Sequence, residues 1–437
     1  MKHVLLRGAL SLTIAGLFSR IMGFFYRIFL ANTIGAEGLG IYQMIFPLYG
    51  ICFSLCASGI ETALSRLVAS KYALGKEKEA LGLLKTGIYI TLFLALGCSF
   101  FIYHYADMIS NVFLKEPRCA TLLKYLALTI PLGTTQSCIC GYYFGVHKAT
   151  VPSIAQLVEQ IIRIGCVFLL YHIYETNQIP LSPILAVLGL LAGELFCLLF
   201  TVACFSFHHT EKHFLKLSAF YNFSKEILPL SIPLTSSRIC ISLLASLEAT
   251  LLPNALKIYG FDTSTALSIY GIFTGMALPL ILFPNALTSS ISLMLLPAVS
   301  ESQTAKQFQT LRKTMKTSFL FCIALGCCCF FFFLIFGKFL GNFLFESNLA
   351  GNFITTLSWI CPFLYLNTTL TSVLNGLGKT SITFFSGILG LFLRIGFLIF
   401  IVPKIGIEGY LYGLLASQLF ITFFNSYCIY RFTKEYI

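Results

Sequence analysis

The sequence predicts an all-α polytopic membrane protein with twelve transmembrane helices in two pseudo-symmetric six-helix bundles. Composition is the first observation behind this prediction: 57% of the 437 residues are hydrophobic, only 11% are charged, and the mean hydropathy is +0.86. Soluble domains carry about 25% charged residues, so this chain has too few to cover a water-facing surface. A soluble enzyme, a nucleic-acid-binding protein and a disordered chain are therefore excluded, and we expect no nucleic-acid partner.

Apolar runs of helix length are the second observation. A membrane-spanning helix needs about 20 mostly apolar residues. These runs are continuous, whereas the strands of a membrane barrel alternate polar and apolar residues. The first run follows Lys2 and Arg7 and contains Arg20 and Arg27, so we expect a retained helix and not a cleaved signal peptide. The twelve stretches are 8–31, 38–60, 83–106, 118–142, 150–173, 180–205, 227–252, 266–296, 317–338, 352–375, 381–402 and 407–430.

The distribution of Lys and Arg predicts how these stretches are oriented. With the N-terminus inside, 18 of the 29 basic residues lie in cytoplasmic loops, 6 lie in outer loops and the remaining five are arginines within spans. An excess of basic residues on the cytoplasmic side is typical of membrane proteins. We therefore expect both termini in the cytoplasm and an even number of spans.

An internal repeat is the third observation. The motif Arg-Ile-Gly at 163–165 recurs at 394–396, an offset of 231, and Pro131 and Pro362 have the same offset. Ser-Arg-Ile at 19–21 recurs at 237–239. Each copy holds six spans, an even number, so both copies insert the same way round as a parallel repeat. The predicted bundles are 1–218 and 219–437, with the boundary in the cytoplasmic stretch around 208–225.

Five arginines and three glutamates that lie within the predicted spans are candidates for a site. Each charge costs roughly 2.5–3.5 kcal/mol at the bilayer centre, so these side chains must face a wet cavity or one another. Four of the arginines lie 11 to 13 residues from the cytoplasmic start of their spans. That distance is roughly 16–20 Å and places them near the midplane. The residues are Arg20, Arg27, Arg163, Arg238, Arg394, Glu159, Glu194 and Glu248.

Two interpretations of these charges stay open. The arginines either pair with glutamates, as the four-residue spacing of Glu159 and Arg163 favours, or line a cavity for an anionic ligand. Five arginines against three glutamates leave a formal surplus of +2, and the planar guanidinium suits phosphate. Glu194 and Glu248 are candidates for ion coupling or are salt-bridge partners. The candidate substrate-binding residues are Arg20, Arg27, Arg163, Arg238, Arg394 and Glu159.

Hinges and cofactors complete the residue-level predictions. Pro131 and Pro362 interrupt the helix hydrogen bonds at matching positions, and Gly23 could let the first helix bend or pack closely.

The 16 cysteines lie mostly in apolar runs, and no pair of Cys-x-x-Cys motifs exists. We therefore expect neither a metal nor a cofactor. No nucleophile–base arrangement is present, so we expect no enzyme and no catalytic residue.

Several segments of the chain resemble a known family. GALSLTIAG at 8–16, SRIMGF at 19–24, GAEGLGIYQ at 35–43, QLVEQIIR at 156–163 and TGMALPL at 274–280 resemble the stage V sporulation protein B group. That group lies in the multidrug/oligosaccharidyl-lipid/polysaccharide (MOP) exporter superfamily with multidrug and toxin extruders, oligosaccharide flippases and the lipid II flippase. The resemblance covers nearly the whole chain and implies a two-bundle, alternating-access transporter in a bacterial cell membrane.

The resemblance also has implications for the site. In the lipid II flippase, arginines of a central cavity contact the phosphates of the substrate, which carries over to Arg20 and loosely to Arg27. The second and eighth spans of this chain hold no arginine, unlike those of the lipid II flippase. The group usually has fourteen spans, whereas twelve are predicted here. These differences favour a related lipid-linked glycan over lipid II.

The sequence therefore predicts a flippase for a polyprenyl-pyrophosphate-linked saccharide, a precursor of cell-wall peptidoglycan, capsule or spore polysaccharide. Its partners would be that lipid-linked saccharide and the bilayer, and glycosyltransferases or other wall-synthesis proteins are further candidates. Two alternatives stay open. One is a multidrug/cation antiporter of the same fold, which needs an uncompensated carboxylate. The other is a transport-inactive membrane scaffold for glycan synthesis.

Overall fold

In the computed structural model, the described residues are 2–208, 217–304 and 307–436. Every regular element among them is helical, as the composition predicts. The helices of the first half are α1 (Lys2–Phe53), α2 (Gly59–Ala73), α3 (Glu77–His104), α4 (Ala106–Met108), α5 (Cys119–Gly145), α6 (Thr150–Thr176) and α7 (Ile184–His208). Two π-helical turns, Ser54–Ser58 and Ile109–Leu114, follow α1 and α4.

The second half repeats this pattern of long helices and short connections. Its helices are α8 (Leu217–Tyr259), α9 (Thr263–Gly271), α10 (Leu278–Leu282), α11 (Asn285–Thr304), α12 (Phe308–Phe345), α13 (Asn348–Leu357), α14 (Cys361–Gly376), α15 (Thr380–Phe400), α16 (Val402–Ile405) and α17 (Ile407–Tyr436). A π-helical turn, Ile272–Ala277, joins α9 to α10, and a 3₁₀ turn, Ser358–Ile360, joins α13 to α14.

Ten helices in the described part of the chain are long and apolar enough to cross a membrane, which supports a polytopic protein. One of these is the 61-residue stretch Thr13–Ala73. At about 1.5 Å per residue, a straight helix of that length would be roughly three times as long as the hydrocarbon core is thick. Gly35 divides it, because its φ of 71° and ψ of 174° are not helical. The all-α polytopic class is confirmed, and the count of twelve spans stays a prediction.

The chain forms two compact units. Unit 1 contains Met1–Tyr26 and Ile41–Ser246, and unit 2 contains Arg27–Gly40 and Leu247–Ile437. In unit 1, α2, α3 and α5 pack around a core that includes Leu64, Leu83 and Tyr143. In unit 2, α11, α12, α14 and α17 enclose a core that includes Val299, Met315 and Leu374. The predicted boundary at residues 208–225 falls partly outside the described residues, and the division at 218 stays a prediction.

The internal repeat is visible as equivalent contacts within each unit. Thr91 Oγ1 lies 3.1 Å from Cys138 Sγ in unit 1, and Cys322 Sγ lies 2.9 Å from Thr369 Oγ1 in unit 2. Each residue of the second pair follows its equivalent in the first pair by 231 positions, the offset found in the sequence. The threonine and the cysteine have exchanged places between the two pairs. The same helix pair therefore packs in the same register in each unit.

Glycines support the same equivalence. A Cβ on Gly145 would lie 2.7 Å from Val68 Cβ, and a Cβ on Gly376 would lie 2.9 Å from Val299 Cβ. Both residues of the second pair again follow the first by 231 positions. Real Cβ atoms rarely approach this closely, so each unit uses a glycine to bring two helices together at the same place.

Candidate functional site

Unit 1 holds a buried ionic cluster on α6 and α7. The guanidinium of Arg163 donates to the carboxylate of Glu159, one helical turn away on α6, as the spacing predicts. Their side chains are only 19% and 24% exposed. Gly193 on α7 permits this packing, because a Cβ there would lie 3.0 Å from the Glu159 carbonyl oxygen. The predicted partnership of Glu159 and Arg163 is thus present.

Glu194 adds a second carboxylate to this cluster. It is 8% exposed, and the Tyr49 hydroxyl donates to its Oε1 at 3.3 Å. Gly133 on α5 leaves the necessary space, because a Cβ there would lie 2.8 Å from the Tyr49 hydroxyl and 2.9 Å from Glu194 Oε2. Glu194 also interacts electrostatically with Glu159 and Arg163. Two carboxylates facing one guanidinium leave one negative charge, which a proton or a cation can neutralise.

Unit 2 holds a different ionic cluster. Arg394 on α15 pairs with Glu248 on α8 at 3.2 Å, and the Tyr410 hydroxyl donates to the other Glu248 oxygen at 2.6 Å. Glu248 is 7% exposed. One carboxylate faces one guanidinium, so this cluster is formally neutral. Arg163 and Arg394 occupy equivalent repeat positions, yet the first takes its carboxylate from its own helix and the second takes it from another helix.

The other three predicted arginines, Arg20, Arg27 and Arg238, have exposed side chains. Among the described residues, no carboxylate is paired with Arg20. Arg238 interacts electrostatically with Glu61, a carboxylate on α2 that accepts a hydrogen bond of 2.5 Å from the Ser137 hydroxyl. Arg163 and Arg394 are thus paired with carboxylates in the buried clusters, and Arg20, Arg27 and Arg238 have exposed side chains.

Sequence reasoning missed several side chains of these clusters. Glu61 was overlooked because the second predicted span ended at residue 60, one position too early. Tyr49 and Tyr410 were overlooked because tyrosine is common in membrane helices and carries no charge. The only available signal for them was a polar group within an apolar run.

The predicted hinges occupy distinct local settings. Pro131 lies within α5, and Pro362 lies at the start of α14, directly after the 3₁₀ turn. Gly23 approaches α6, where a Cβ would lie 3.4 Å from Gln160 Nε2, an ordinary contact distance. In the described part of the chain, no group of three or more His, Cys, Asp and Glu side chains is arranged to hold a metal ion.

Comparison with protein families adds an independent finding. The family model described as "Polysaccharide biosynthesis protein" matches residues 5–303. The MatE family model matches residues 258–400. Together the two matches extend over nearly the whole chain.

Individual relatives agree with these matches. Stage V sporulation protein B of Bacillus subtilis (strain 168) is 28% identical over 434 residues, which cover 97% of this chain and 83% of that protein. The lipid II flippase MurJ of the same strain is 21% identical over 425 residues, which cover 90% of this chain and 77% of that protein. The chain is thus similar to both along most of its length.

Solved structures have the same fold. Lipid II flippase MurJ in an inward closed conformation matches with a TM-score of 0.71 at 17% identity, over 96% of this chain and 87% of that chain. A multidrug resistance MATE family transporter of the MOP superfamily, in an inward-facing conformation, matches with a TM-score of 0.70 at 14% identity. That match covers 98% of each chain. The predicted MOP-type fold is confirmed.

Proposed function

Since this chain belongs to the polysaccharide biosynthesis protein family, we propose that it flips a polyprenyl-pyrophosphate-linked saccharide across a bacterial cell membrane. The coarser part of this statement rests on the family and the fold: the chain is a multi-pass membrane protein of the exporter type. Relatives named as a sporulation protein and a lipid II flippase support a lipid-linked passenger.

One observation carries the choice of an anionic passenger. Arg20 lies on a membrane-spanning helix, its side chain is exposed, and no carboxylate among the described residues is paired with it. A lone guanidinium facing lipid at mid-depth would cost roughly 2.5–3.5 kcal/mol. Water or an anion removes that cost, and pyrophosphate can accept two parallel hydrogen bonds from the planar guanidinium.

In this proposal the other arginines differ in how readily they can contact the substrate. Arg238, in the same unit as Arg20, is also exposed and would share the first contact with pyrophosphate, and Arg27 stays a further exposed candidate. Arg163 and Arg394 already donate to Glu159 and Glu248, so they would reach the substrate only after releasing those carboxylates. We propose that the saccharide occupies a water-filled cleft during alternating access while the polyprenyl tail stays in lipid.

The test is removal of two exposed charges at equivalent repeat positions. The double variant Arg20→Ala and Arg238→Ala, purified and reconstituted in vesicles, should flip a fluorescent polyprenyl-pyrophosphate saccharide at least about a hundredfold more slowly, because each contact to phosphate is worth roughly 1.5–3 kcal/mol. Lys257→Ala with Lys404→Ala removes two charges of α8 and α16 that the sequence predicts on the outer side of the membrane, and it serves as the matched control. Undiminished flipping in the arginine variant, at equal protein content, would refute the proposal.

A cation antiporter of the same fold is the second candidate, because Glu194 gives the ionic cluster of unit 1 a surplus negative charge. Three exposed arginines argue against a cationic passenger, whereas Glu194 suits a coupling proton or sodium ion. Drug susceptibility of cells lacking the gene separates the two functions. Increased sensitivity to cationic drugs without a defect in glycan export would favour the antiporter.

A further inference from the structure

A groove in unit 2 shares no lining residue with the two ionic clusters. It is formed by α12, α14 and α17 and has a volume of 720 Å³, within the range of about 300–1,000 Å³ typical of ligand sites. Its lining includes Phe319, Leu320, Ile323, Leu366 and Leu370. Most of this wall is apolar, and Leu320 and Ile323 remain 66% and 41% exposed. We refer to it as the α12–α14–α17 groove.

The depth of this groove in the bilayer follows from two uncharged segments. Residues 317–337 of α12 and 409–430 of α17 contain no Asp, Glu, Lys or Arg over 21 and 22 residues. At about 1.5 Å per residue, each segment matches a hydrocarbon core about 30 Å thick. Lys316 therefore lies at one edge of the core, and so does Lys434, just beyond the end of the α17 segment. Met315 and Ile429 pack in one cluster, which places these ends of α12 and α17 at the same level.

Three cations line the groove at this edge: Arg312 and Lys316 on α12, and Lys434 on α17. Among the side chains that the structure describes, no carboxylate lines the groove and none is paired with any of the three cations. Leu320, Ile323 and Leu366 lie further into the core on the same groove. The site thus combines a positive rim at headgroup depth with an apolar channel at acyl-chain depth.

We propose that the α12–α14–α17 groove binds an anionic phospholipid of the cytoplasmic leaflet. The phosphate lies among Arg312, Lys316 and Lys434, and one acyl chain lies along Leu320 and Ile323. Basic pockets between membrane helices on the cytoplasmic side favour anionic lipid headgroups. Three cations without a carboxylate favour a lipid with net negative charge over a zwitterionic one. The inference concerns a bound bilayer lipid and does not depend on what the protein transports.

Native mass spectrometry of the full chain, released from nanodiscs of phosphatidylglycerol and phosphatidylcholine, tests this site. Each cation near an anionic lipid contributes about a fivefold preference, so the variant Arg312→Gln, Lys316→Gln and Lys434→Gln should retain phosphatidylglycerol roughly tenfold to a hundredfold less than the wild type. Lys257→Gln, Lys338→Gln and Lys404→Gln remove the same charge from α8, α12 and α16 of unit 2, at positions that the sequence predicts on the outer side of the membrane. This control should retain phosphatidylglycerol like the wild type.

A second variant tests the apolar channel without changing charge. Ile323→Trp fills the groove and should lower lipid retention severalfold while the cations remain. The proposal is overturned if the rim variant and the outer-side control lose lipid equally, or if phosphatidylcholine is retained as well as phosphatidylglycerol. It is also overturned if inorganic phosphate alone competes the lipid off, because the acyl chain would then contribute nothing.

Discussion

At the scale of single residues, the two units differ in which carboxylate neutralises their buried arginine. Arg394 depends on Glu248 from another helix, and Glu248 also accepts from Tyr410, so three helices are joined at one carboxylate. Arg163 depends on Glu159 from its own helix and leaves Glu194 as a second carboxylate. We therefore propose that the unit 2 cluster chiefly holds helices together, whereas the unit 1 cluster has a negative charge left for an ion.

The first prediction concerns the unit 2 pair. Glu248→Gln keeps an acceptor for the Tyr410 hydroxyl but leaves the Arg394 guanidinium without a counter-charge. Removing one partner of a buried pair costs about 3–5 kcal/mol, so we expect a clear loss of stability. Thermal unfolding in detergent, followed by the fluorescence of the single tryptophan, Trp359, measures it.

Two further variants test whether the Glu248–Arg394 pair itself stabilises the fold. Glu408→Gln removes an exposed carboxylate near the start of α17 and should change stability by less than about 0.5 kcal/mol. The double variant Glu248→Leu with Arg394→Met should be more stable than Glu248→Gln, because no unpaired charge remains. Equal stability of Glu248→Gln and Glu408→Gln would show that the pair does not stabilise the fold.

The two ion pairs differ in whether they could be predicted from the sequence. The Glu159–Arg163 pair was predictable because both residues lie one turn apart on one helix. The Glu248–Arg394 pair was not, because 146 residues separate them and only the packing of α8 against α15 brings them together. The count of five arginines against three glutamates assigned no partners, and it omitted Glu61, which interacts with Arg238.

At the scale of helices, Pro131 illustrates how a membrane helix accommodates an interruption. Proline has no N–H, so the carbonyl of Ala127, four residues earlier, loses its helical donor. The Ser99 hydroxyl on α3 donates to that carbonyl at 2.7 Å. Ser99 is 9% exposed, so water does not readily replace it. The Ser99 hydrogen bond therefore joins α3 to α5 at the point where α5 lacks one of its own backbone hydrogen bonds.

The second prediction follows from this contact. Ser99→Ala should destabilise the protein by about 1–3 kcal/mol, because a buried carbonyl loses its donor. In a Pro131→Ala background, residue 131 regains an N–H and can serve the Ala127 carbonyl itself. Ser99→Ala should then cost much less, and a double-mutant cycle of unfolding free energies measures the difference.

Ser236→Ala is the control for this cycle. Ser236 is exposed, and its hydroxyl bonds only to the Ile232 carbonyl of its own helix, so its loss should be nearly neutral. Equal costs for Ser99→Ala with and without Pro131 would contradict the explanation. The sequence predicted the interruption at Pro131, but Ser99 lies 28 residues from Ala127 and no local pattern identifies it.

Helix ends were predicted less well than helix positions. Residues 8–31 and 38–60 were expected as separate spans, and the non-helical backbone of Gly35 does divide α1 between them, but the second helix ends at Phe53 and not at residue 60. The eighth stretch, 266–296, was expected as one long helix, and the structure divides it into α9, α10 and the start of α11. Hydropathy reports which residues avoid water, but glycine and proline geometry decides where helices end.

At the scale of the whole molecule, the distribution of basic residues predicts the orientation. We propose that both termini lie in the cytoplasm, because 18 basic residues fall on that side and 6 on the other. Fusions at the C-terminus of the intact chain test it. A fluorescent protein that matures only in the cytoplasm should be bright, and alkaline phosphatase should be inactive. An active phosphatase fusion would reverse the orientation.

The last prediction concerns what drives transport. A pyrophosphate-linked passenger is an anion, and an inside-negative potential favours its outward movement by about 2.3 kcal/mol per charge per 100 mV. In vesicles with a potassium diffusion potential, we expect flipping to accelerate when the potential pulls the anion across and to slow when its sign is reversed. Rates independent of the sign of the potential would contradict transport of a net charge.

The variant Glu194→Gln distinguishes transport driven by the electrical potential from transport coupled to a proton. If the surplus carboxylate of unit 1 carries a proton, an imposed pH gradient should change the flipping rate of the wild type but not of Glu194→Gln. The response of that variant to the electrical potential should persist, because the arginines that hold the pyrophosphate are unchanged. Glu408→Gln, which removes an exposed carboxylate, should respond to both gradients like the wild type. A pH response that survives in Glu194→Gln would leave the buried carboxylate with a purely structural role beside Arg163.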